Sequence, residues 1–367
     1  MRKFRPGIYA HIAAQVSFLA VATVITKRRA VRVRGLSDCV VLVRVLVLGG
    51  TEFVGRHVVE RLHSRGDDVL VVHRGHHEPQ PWIDVEHLHA DRHSLEHRAS
   101  VMYDFCADAI VDTYAMTGAD VTAVMPLLPD VPSVVLSSQD VYQAFTGLRT
   151  GRCLAAVPLT ENAELRHDKY PYRGCGLDGV PDDYEKRDVE DLWLARGATV
   201  LRLPMIYGAH DQQMREDAVL RRIRAGRRQM PIGAGNLLWT RGHVDDIATG
   251  VLAAIDTRAA DGMAVNLGEP TTVPIATWFQ QVIDAAEADL ELVTVPDSAL
   301  PAELILTAAP AQHMLVSVHR AEELFAWSPT DSTVRVAESV RWHLINPPES
   351  SWTTADAQSD DEALSAA

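Results

Sequence analysis

A parallel, doubly wound α/β sheet carrying a smaller, discontinuous α/β lobe is the fold class that three features of this 367-residue chain predict. From residue 43 to residue 208, short continuous apolar runs alternate with helical stretches, as strands buried on both faces require. The first run ends in Gly-Gly and opens directly into a helical pattern. Beyond residue 209 the alternation loosens into helical stretches around isolated apolar runs.

Taken in order, the first strand is expected at Val45–Leu48 and the helix after it at Phe53–Leu62. Apolar runs at Val69–Val72, Val85–Leu88, Ala109–Val111, Ser133–Leu136 and Thr199–Leu203 give five more strands. Helical patterns at 119–128 and 184–194 precede the last two. The lobe, 209–346, holds helical stretches at 215–225, 244–256, 275–287 and 333–345, with apolar runs at 263–266 and 291–295. Ligands of open α/β sheets bind at the carboxyl ends of the strands, so the lobe is expected to lie over those ends.

The two ends read differently from the body. Residues 1–42 carry eight Lys/Arg and one Asp, a charge of +7, which leaves −21 of the total −14 on the rest. An apolar stretch of about 18 residues there is near the lower limit for a membrane span. His11, Gln15 and Ser17 interrupt it, so an over-extended start or a disordered leader is expected rather than an anchor, with Val43 where an initiator would sit. Residues 347–367 are polar and acidic and are expected to form a disordered tail. Four cysteines without a CxxC pair point to free thiols in a reducing, cytoplasmic setting. The acidic body argues against a nucleic-acid backbone as the main partner.

The glycine turn carries the first chemical signal. Gly49, Gly50, Thr51, Phe53, Val54 and Gly55 follow the first strand, and glycines there allow a tight turn and close approach of backbone to a pyrophosphate. The following helix offers free N–H groups and the positive end of its dipole. This pattern implies a dinucleotide cofactor. Glu52 stands inside it, and its carboxylate must point outward to avoid repelling phosphate. The second strand runs into His73-Arg74, with no acid to accept ribose hydroxyls. A missing acid and a present arginine favour a 2′-phosphate, hence NADP over NAD; the alternative for Arg74 is a solvated loop residue.

With VLVLGGTEFVG at the first turn, VVLSSQDVY at 134–142, LRLPMIYG at 201–208 and HVDDIA at 243–248, residues 43–346 resemble the extended short-chain dehydrogenase/reductase superfamily. The branch is the NAD-dependent epimerase/dehydratase family, and the GGTxFxG turn resembles an atypical subgroup that includes chloroplast stem-loop-binding proteins. The resemblance implies a Rossmann-type dinucleotide-binding domain over 43–208 and a substrate lobe over 209–346. It adds Asp91, Ala115, Pro204 and Ile206 to the expected cofactor contacts, and places Tyr207, Trp239 and Arg241 on the substrate side. The alternative for Asp91 is capping of the helix after it, and for Trp239 packing in the core.

The resemblance also implies a serine that holds the substrate's oxygen, a tyrosine that exchanges the proton, and a lysine four residues beyond the tyrosine. Ser138 and Tyr184 fit the first two, with Tyr170 and Tyr172 as competitors in a loop. The chain has four lysines (Lys3, Lys27, Lys169 and Lys186), and none completes YxxxK. Four residues after Tyr184 stands Asp188, whose charge is expected to raise the phenol's pKa. Lys186, two residues on, sits about 200° around an ideal helix and is expected to face elsewhere unless the helix begins late.

Two further clusters attract a second reading. Arg221, Arg222, Arg224, Arg227 and Arg228 are expected on a solvated helix face rather than against an anionic substrate. His89, His93 and His97 recur at helical spacing, but a strand end at His87–His89 and the absence of cysteine favour no metal. The sequence therefore predicts an NAD(P)-dependent oxidoreductase or epimerase/dehydratase acting on a small-molecule substrate, as a homodimer. The rivals are a dinucleotide-binding sensor or scaffold without hydride chemistry, and an RNA-associated protein.

Overall fold

The computed structural model describes residues 29–31, 40–76, 83–349 and 352–367. It divides into two compact units, residues 1–43 and 44–367. In the first unit Arg29–Val31 and Val40–Leu42 pair antiparallel. The apolar stretch of the expected leader lies outside the described residues.

Residues 44–367 are built on a seven-stranded parallel sheet. Its strands are β1 (Arg44–Leu48), β2 (Asp68–His73), β3 (Glu86–His89), β4 (Ala109–Asp112), β5 (Ser133–Ser138), β6 (Thr199–Leu203) and β10 (Ala264–Asn266). The spatial order is β10-β6-β5-β4-β1-β2-β3. The order reverses beside β1, which makes the crevice between β1 and β4 a switch point for ligand binding. Val45, Leu46 and Val47 on the central strand are fully buried, as a two-faced sheet demands.

Around it run α1 (Phe53–Arg65), α2 (Ala99–Phe105), α3 (Gly118–Val124), α4 (Gln143–Thr150) and α5 (Lys186–Ala195). Pro126 falls in a 3₁₀ turn, Met125–Leu127, so α3 is shorter than its apolar pattern. The later chain adds β7 (Met205–Tyr207), α6 (Asp217–Arg224), β8 (Gln229–Ile232), β9 (Arg241–His243) and α7 (Val244–Thr257). After β10 come α8 (Ile275–Ala285), β11 (Glu291–Thr294), α9 (His319–Phe325), α10 (Ser332–Ile345) and α11 (Thr354–Leu364). Strand β7 pairs with β9, and β8 with β11, both parallel.

Two boundaries differ from the sequence expectation. The apolar run at 263–266 is not a lobe strand: Ala264–Asn266 pairs with Val200–Arg202 and closes the edge of the large sheet. The chain thus leaves the sheet after β6 and returns to it, which a linear division at residue 209 cannot express. The tail is likewise not disordered over 354–364. Thr353 and Asp356 form a capping box that starts α11.

The acids of α11 explain why it is ordered. Asp360 accepts two hydrogen bonds from Arg222, at 2.8 and 2.6 Å, and both side chains are fully buried. Asp356 pairs with Arg221 at 2.8 Å, and Asp361 with Arg227. The ring of Trp352 lies under the Arg221 and Arg222 guanidiniums at 5.0 and 5.2 Å. Three of the five arginines, Arg221, Arg222 and Arg227, therefore face the chain's own acidic end, while Arg224 pairs with Asp217 and Arg228 with Asp289 nearer the surface. Replacing Asp360 by alanine strands a buried cation, with Glu303 at 3.0 Å and the Ala218 carbonyl left beside it. A loss of about 3 kcal/mol is expected in urea denaturation, with much of it restored by the paired change Arg222→Met, Asp360→Leu.

Candidate active site

The glycine turn is built as phosphate cradles are. Gly49 and Gly50 have φ of 98° and 97°, which side-chain-bearing residues rarely adopt. A Cβ on Gly55 would lie 2.8 Å from the Gly50 backbone, so only glycine lets α1 begin this close to the turn. Thr51, Phe53 and Val54 remain partly accessible around it. The Glu52 carboxylate accepts a 2.9 Å bond from Gln212. The residues present thus fit a pyrophosphate at the start of α1.

Along the sheet's carboxyl edge, the other expected cofactor residues are spread over several strands. Arg74 is exposed just past β2, its guanidinium 5.6 Å from the centre of the Tyr114 ring. Asp91 is exposed and caps the following 3₁₀ turn by accepting from the His93 N–H at 2.8 Å. Ala115 is buried, while Pro204 and Ile206, after β6, are partly exposed.

Ser138 ends β5, and its Oγ accepts from the Asp140 N–H at 3.1 Å. The Tyr184 phenol donates to Asp140 Oδ2 at 2.9 Å, and Ser138 lies near enough to act in the opposite sense on its pKa. Tyr172 donates to the same oxygen at 3.1 Å. Burial and the Asp140 carboxylate together hold the Tyr184 phenol well above its ordinary pKa. Burial also raises Asp140, against the opposing charge of Arg166.

The lysine question has a structural answer. Helix α5 begins at Lys186, not at Tyr184. Between them Glu185 is extended, with φ −154° and ψ 94°. Across an extended residue, positions i and i+2 project to the same side, so the helical angle of about 200° does not apply. The buried Lys186 Nζ donates to the carbonyls of Ala115 at 2.6 Å and Leu136 at 2.9 Å, at the ends of β4 and β5. It lies close enough to Asp140 and Asp112 for both to oppose the lowering of its pKa by burial. Asp188 is elsewhere: it pairs with the exposed Lys169 at 2.7 Å. The group that lifts the phenol is therefore Asp140, and the expectation that Asp188 does so is corrected.

A buried ionic frame holds this corner. Glu185 takes bonds from Arg166 at 2.9 Å and from the Tyr170 N–H at 3.0 Å. One turn along α5, Glu190 accepts from Arg202 on β6 at 2.7 Å and from Ser137 on β5 at 2.5 Å. Arg202 also donates to the Tyr142 hydroxyl, which donates to Asn266 on β10. Breaking such a buried pair on one side costs far more than the pair itself contributes. Asp140 was legible, since it lies inside the SSQDVY motif. Tyr172 was legible only as a competitor for Tyr184, and Arg166 and Glu185 not at all, because partners 15 to 32 residues apart meet only through the fold.

On the substrate side, Tyr207 and Arg241 lie on the paired strands β7 and β9. Tyr207 donates to Glu269 at 2.7 Å. Arg241 is buried, 4.7 Å from the centre of the Trp278 ring, and burial brings its pKa down to about 10. Its Nε has no hydrogen-bond partner among the described residues. Trp239 is partly buried and ends a line of ring contacts. It meets Phe145 at 6.4 Å, Phe145 meets Tyr172 at 5.8 Å, and Tyr172 meets Tyr184 at 5.1 Å. The three histidines read at helical spacing do not gather. His93 bonds Asp120 at 3.0 Å and His97 is exposed beside Glu96.

Residues 45–127 and 188–268 match the NAD dependent epimerase/dehydratase family, and the unmatched stretch between them holds Ser138, Tyr172, Tyr184 and Lys186. The chloroplast stem-loop binding protein of 41 kDa b from Arabidopsis thaliana is 23% identical over 310 residues, 78% of this chain and 75% of that protein. The dTDP-glucose 4,6-dehydratase of Bacillus anthracis, solved with NAD, superposes with a TM-score of 0.62 at 16% identity, covering 83% of this chain and 97% of that one. The UDP-glucose 4-epimerase of Thermotoga maritima, solved with UDP-glucose, gives 0.62 at 16%, covering 83% and 100%. Among the described residues, no helix is long and apolar enough to cross a membrane. The glycine turn and the seven-stranded sheet thus accompany two segments that match the NAD dependent epimerase/dehydratase family.

Proposed function

We propose that the protein is an NAD(P)-dependent oxidoreductase or epimerase/dehydratase acting on a small carbonyl, alcohol or sugar-nucleotide-like substrate. Gly49–Gly55 would seat the cofactor's pyrophosphate, and Lys186 its nicotinamide ribose. When bound, the nicotinamide supplies a hydride acceptor or donor. The single observation that carries the reading is the meeting of Ser138, Tyr184 and Asp140 beside Lys186.

Each side chain then has a distinct task. Ser138 Oγ holds the substrate oxygen. As an alcohol is oxidised, its O–H proton passes to the Tyr184 oxygen while the phenolic proton passes to Asp140 Oδ2, 2.9 Å away. The phenolate is never needed as a free species, which suits a phenol whose pKa is held high. Lys186 orients the ribose by charge-assisted donation, and its own pKa is lowered by burial. Trp239 and the rings between it and Tyr184 exclude water on one side, and Arg241 is the cation for an anionic substrate group.

NADP is preferred over NAD in this proposal, because Arg74 follows β2 where no carboxylate is present. Fluorescence titration is expected to show tighter binding of NADPH than NADH, and Arg74→Ala to remove about tenfold of NADPH affinity while leaving NADH unchanged. Turnover is tested over a panel of carbonyls and sugar nucleotides. Binding without turnover anywhere on that panel favours the sensor reading, which the raised phenol pKa also suits. The Arabidopsis relative's name brings an RNA stem-loop partner into view, and the −21 charge of residues 43–367 opposes it.

A further inference from the structure

A second constellation sits at the other end of the sheet. His87 and His89 occupy alternate positions on β3 and so share one face of the strand. On the neighbouring β2, His73 lies in register opposite His89. The three imidazoles form a triangle whose ligand nitrogens all lie within 4.8 Å of one another. His73 Nε2 and His87 Nδ1 are 2.9 Å apart, and the His73 ring stands edge-on to His87 and His89 at 5.0 and 4.7 Å. Two strands, β4 and β1, separate β2 from β5, so this cluster is distinct from Ser138 and Tyr184.

We propose that His73, His87 and His89 bind one divalent transition-metal ion, zinc by preference, with a fourth position open to water. The donor set is all imidazole, which suits zinc, copper and nickel rather than magnesium or calcium. Tetrahedral bonds of about 2.0–2.1 Å put ligand nitrogens about 3.3 Å apart. One pair of nitrogens is 2.9 Å apart and no pair exceeds 4.8 Å, so rotation of the rings suffices. His73 is buried, His87 partly so and His89 exposed, which gives a site anchored inside and open at its rim.

Loading has a definite proton cost. The Gly75 N–H donates to His73 Nδ1 at 3.2 Å, so the proton between the rings resides on His73 Nε2 and points at His87 Nδ1. Metal binding moves that proton to His73 Nδ1 and releases the Gly75 contact. Gly75 has a φ of 76° in a turn, where it can reorient. Protons and metal compete for the same ring nitrogens, so binding weakens on acidification.

The test uses untagged full-length protein freed of metal and titrated with zinc against a chromogenic chelator, then with cobalt for its visible spectrum. One equivalent per chain is expected at micromolar zinc, with the intense cobalt absorption of a tetrahedral site. His87→Ala and His89→Ala should each weaken binding at least tenfold, and zinc should raise the melting temperature of the wild type but of neither variant. His93→Ala and His97→Ala should bind as wild type does. Because His89 is exposed, its removal leaves the fold intact, as circular dichroism would show. Absence of saturable binding, or binding that survives both His87→Ala and His89→Ala, overturns the proposal.

Discussion

Lys186→Met is expected to weaken dinucleotide binding about 10–100-fold and to bring turnover to background, while Asp188→Asn changes neither. The first figure follows from losing one charge-assisted hydrogen-bond donor, worth about 1.5–3 kcal/mol. The contrast follows from geometry: Lys186 is buried across the ends of β4 and β5, and Asp188 is out at the surface with Lys169. Lys186→Arg separates charge from shape. Its longer fork does not fit between the Ala115 and Leu136 carbonyls, so it should retain charge but not activity. Fluorescence titration gives the affinities, and single-turnover kinetics the rates. If Asp188→Asn proved as harmful as Lys186→Met, the two residues would have to act at one site, against their placement here.

The second large effect is expected at the phenol and its carboxylate. Tyr184→Phe should lower kcat by about 10²–10⁴-fold with cofactor affinity unchanged, since it removes a proton-transfer group and nothing that touches the dinucleotide. Asp140→Asn should act through pH. Burial raises the Asp140 pKa above the ordinary carboxylate range. Only the ionised form accepts the phenolic proton, so the oxidation rate should rise with pH through that raised pKa and then level off. The asparagine variant lacks this limb. It also lacks the negative charge that lifts Tyr184, so its residual activity should rise at a higher pH, as the now lowered phenol pKa is approached. A wild-type profile flat from pH 4 to pH 9, under conditions where chemistry limits the rate, contradicts the relay. Tyr172→Phe removes one donor from the same Asp140 oxygen and should shift the limb upward without abolishing it.

How much of this was legible in the sequence depended on range. The β1–turn–α1 unit was readable because its signals are contiguous: an apolar run, two glycines and a helical period within about 20 residues. That the sheet is parallel and doubly wound followed from the alternation of patterns. The seventh strand was read as a lobe run, because three apolar residues do not announce which sheet they join. Lys186 was misplaced by a boundary error of two residues. An amphipathic period starting at Tyr184 looked helical, but Glu185 bonds Arg166 and the Tyr170 N–H and is held extended. That shift turns a lysine on the wrong face into one on the same side as the tyrosine. The acidic end was mistaken for a tail because composition alone does not show that Arg222 needs a buried partner 138 residues away.

The crystal structure of the complex with a pyridine dinucleotide tests the central point most directly. Lys186 Nζ should lie about 2.7–3.2 Å from a hydroxyl of the nicotinamide ribose, with Tyr184 and Ser138 facing the same side of the nicotinamide. Density showing those hydroxyls held by another residue, with Lys186 still bound only to the Ala115 and Leu136 carbonyls, would contradict it.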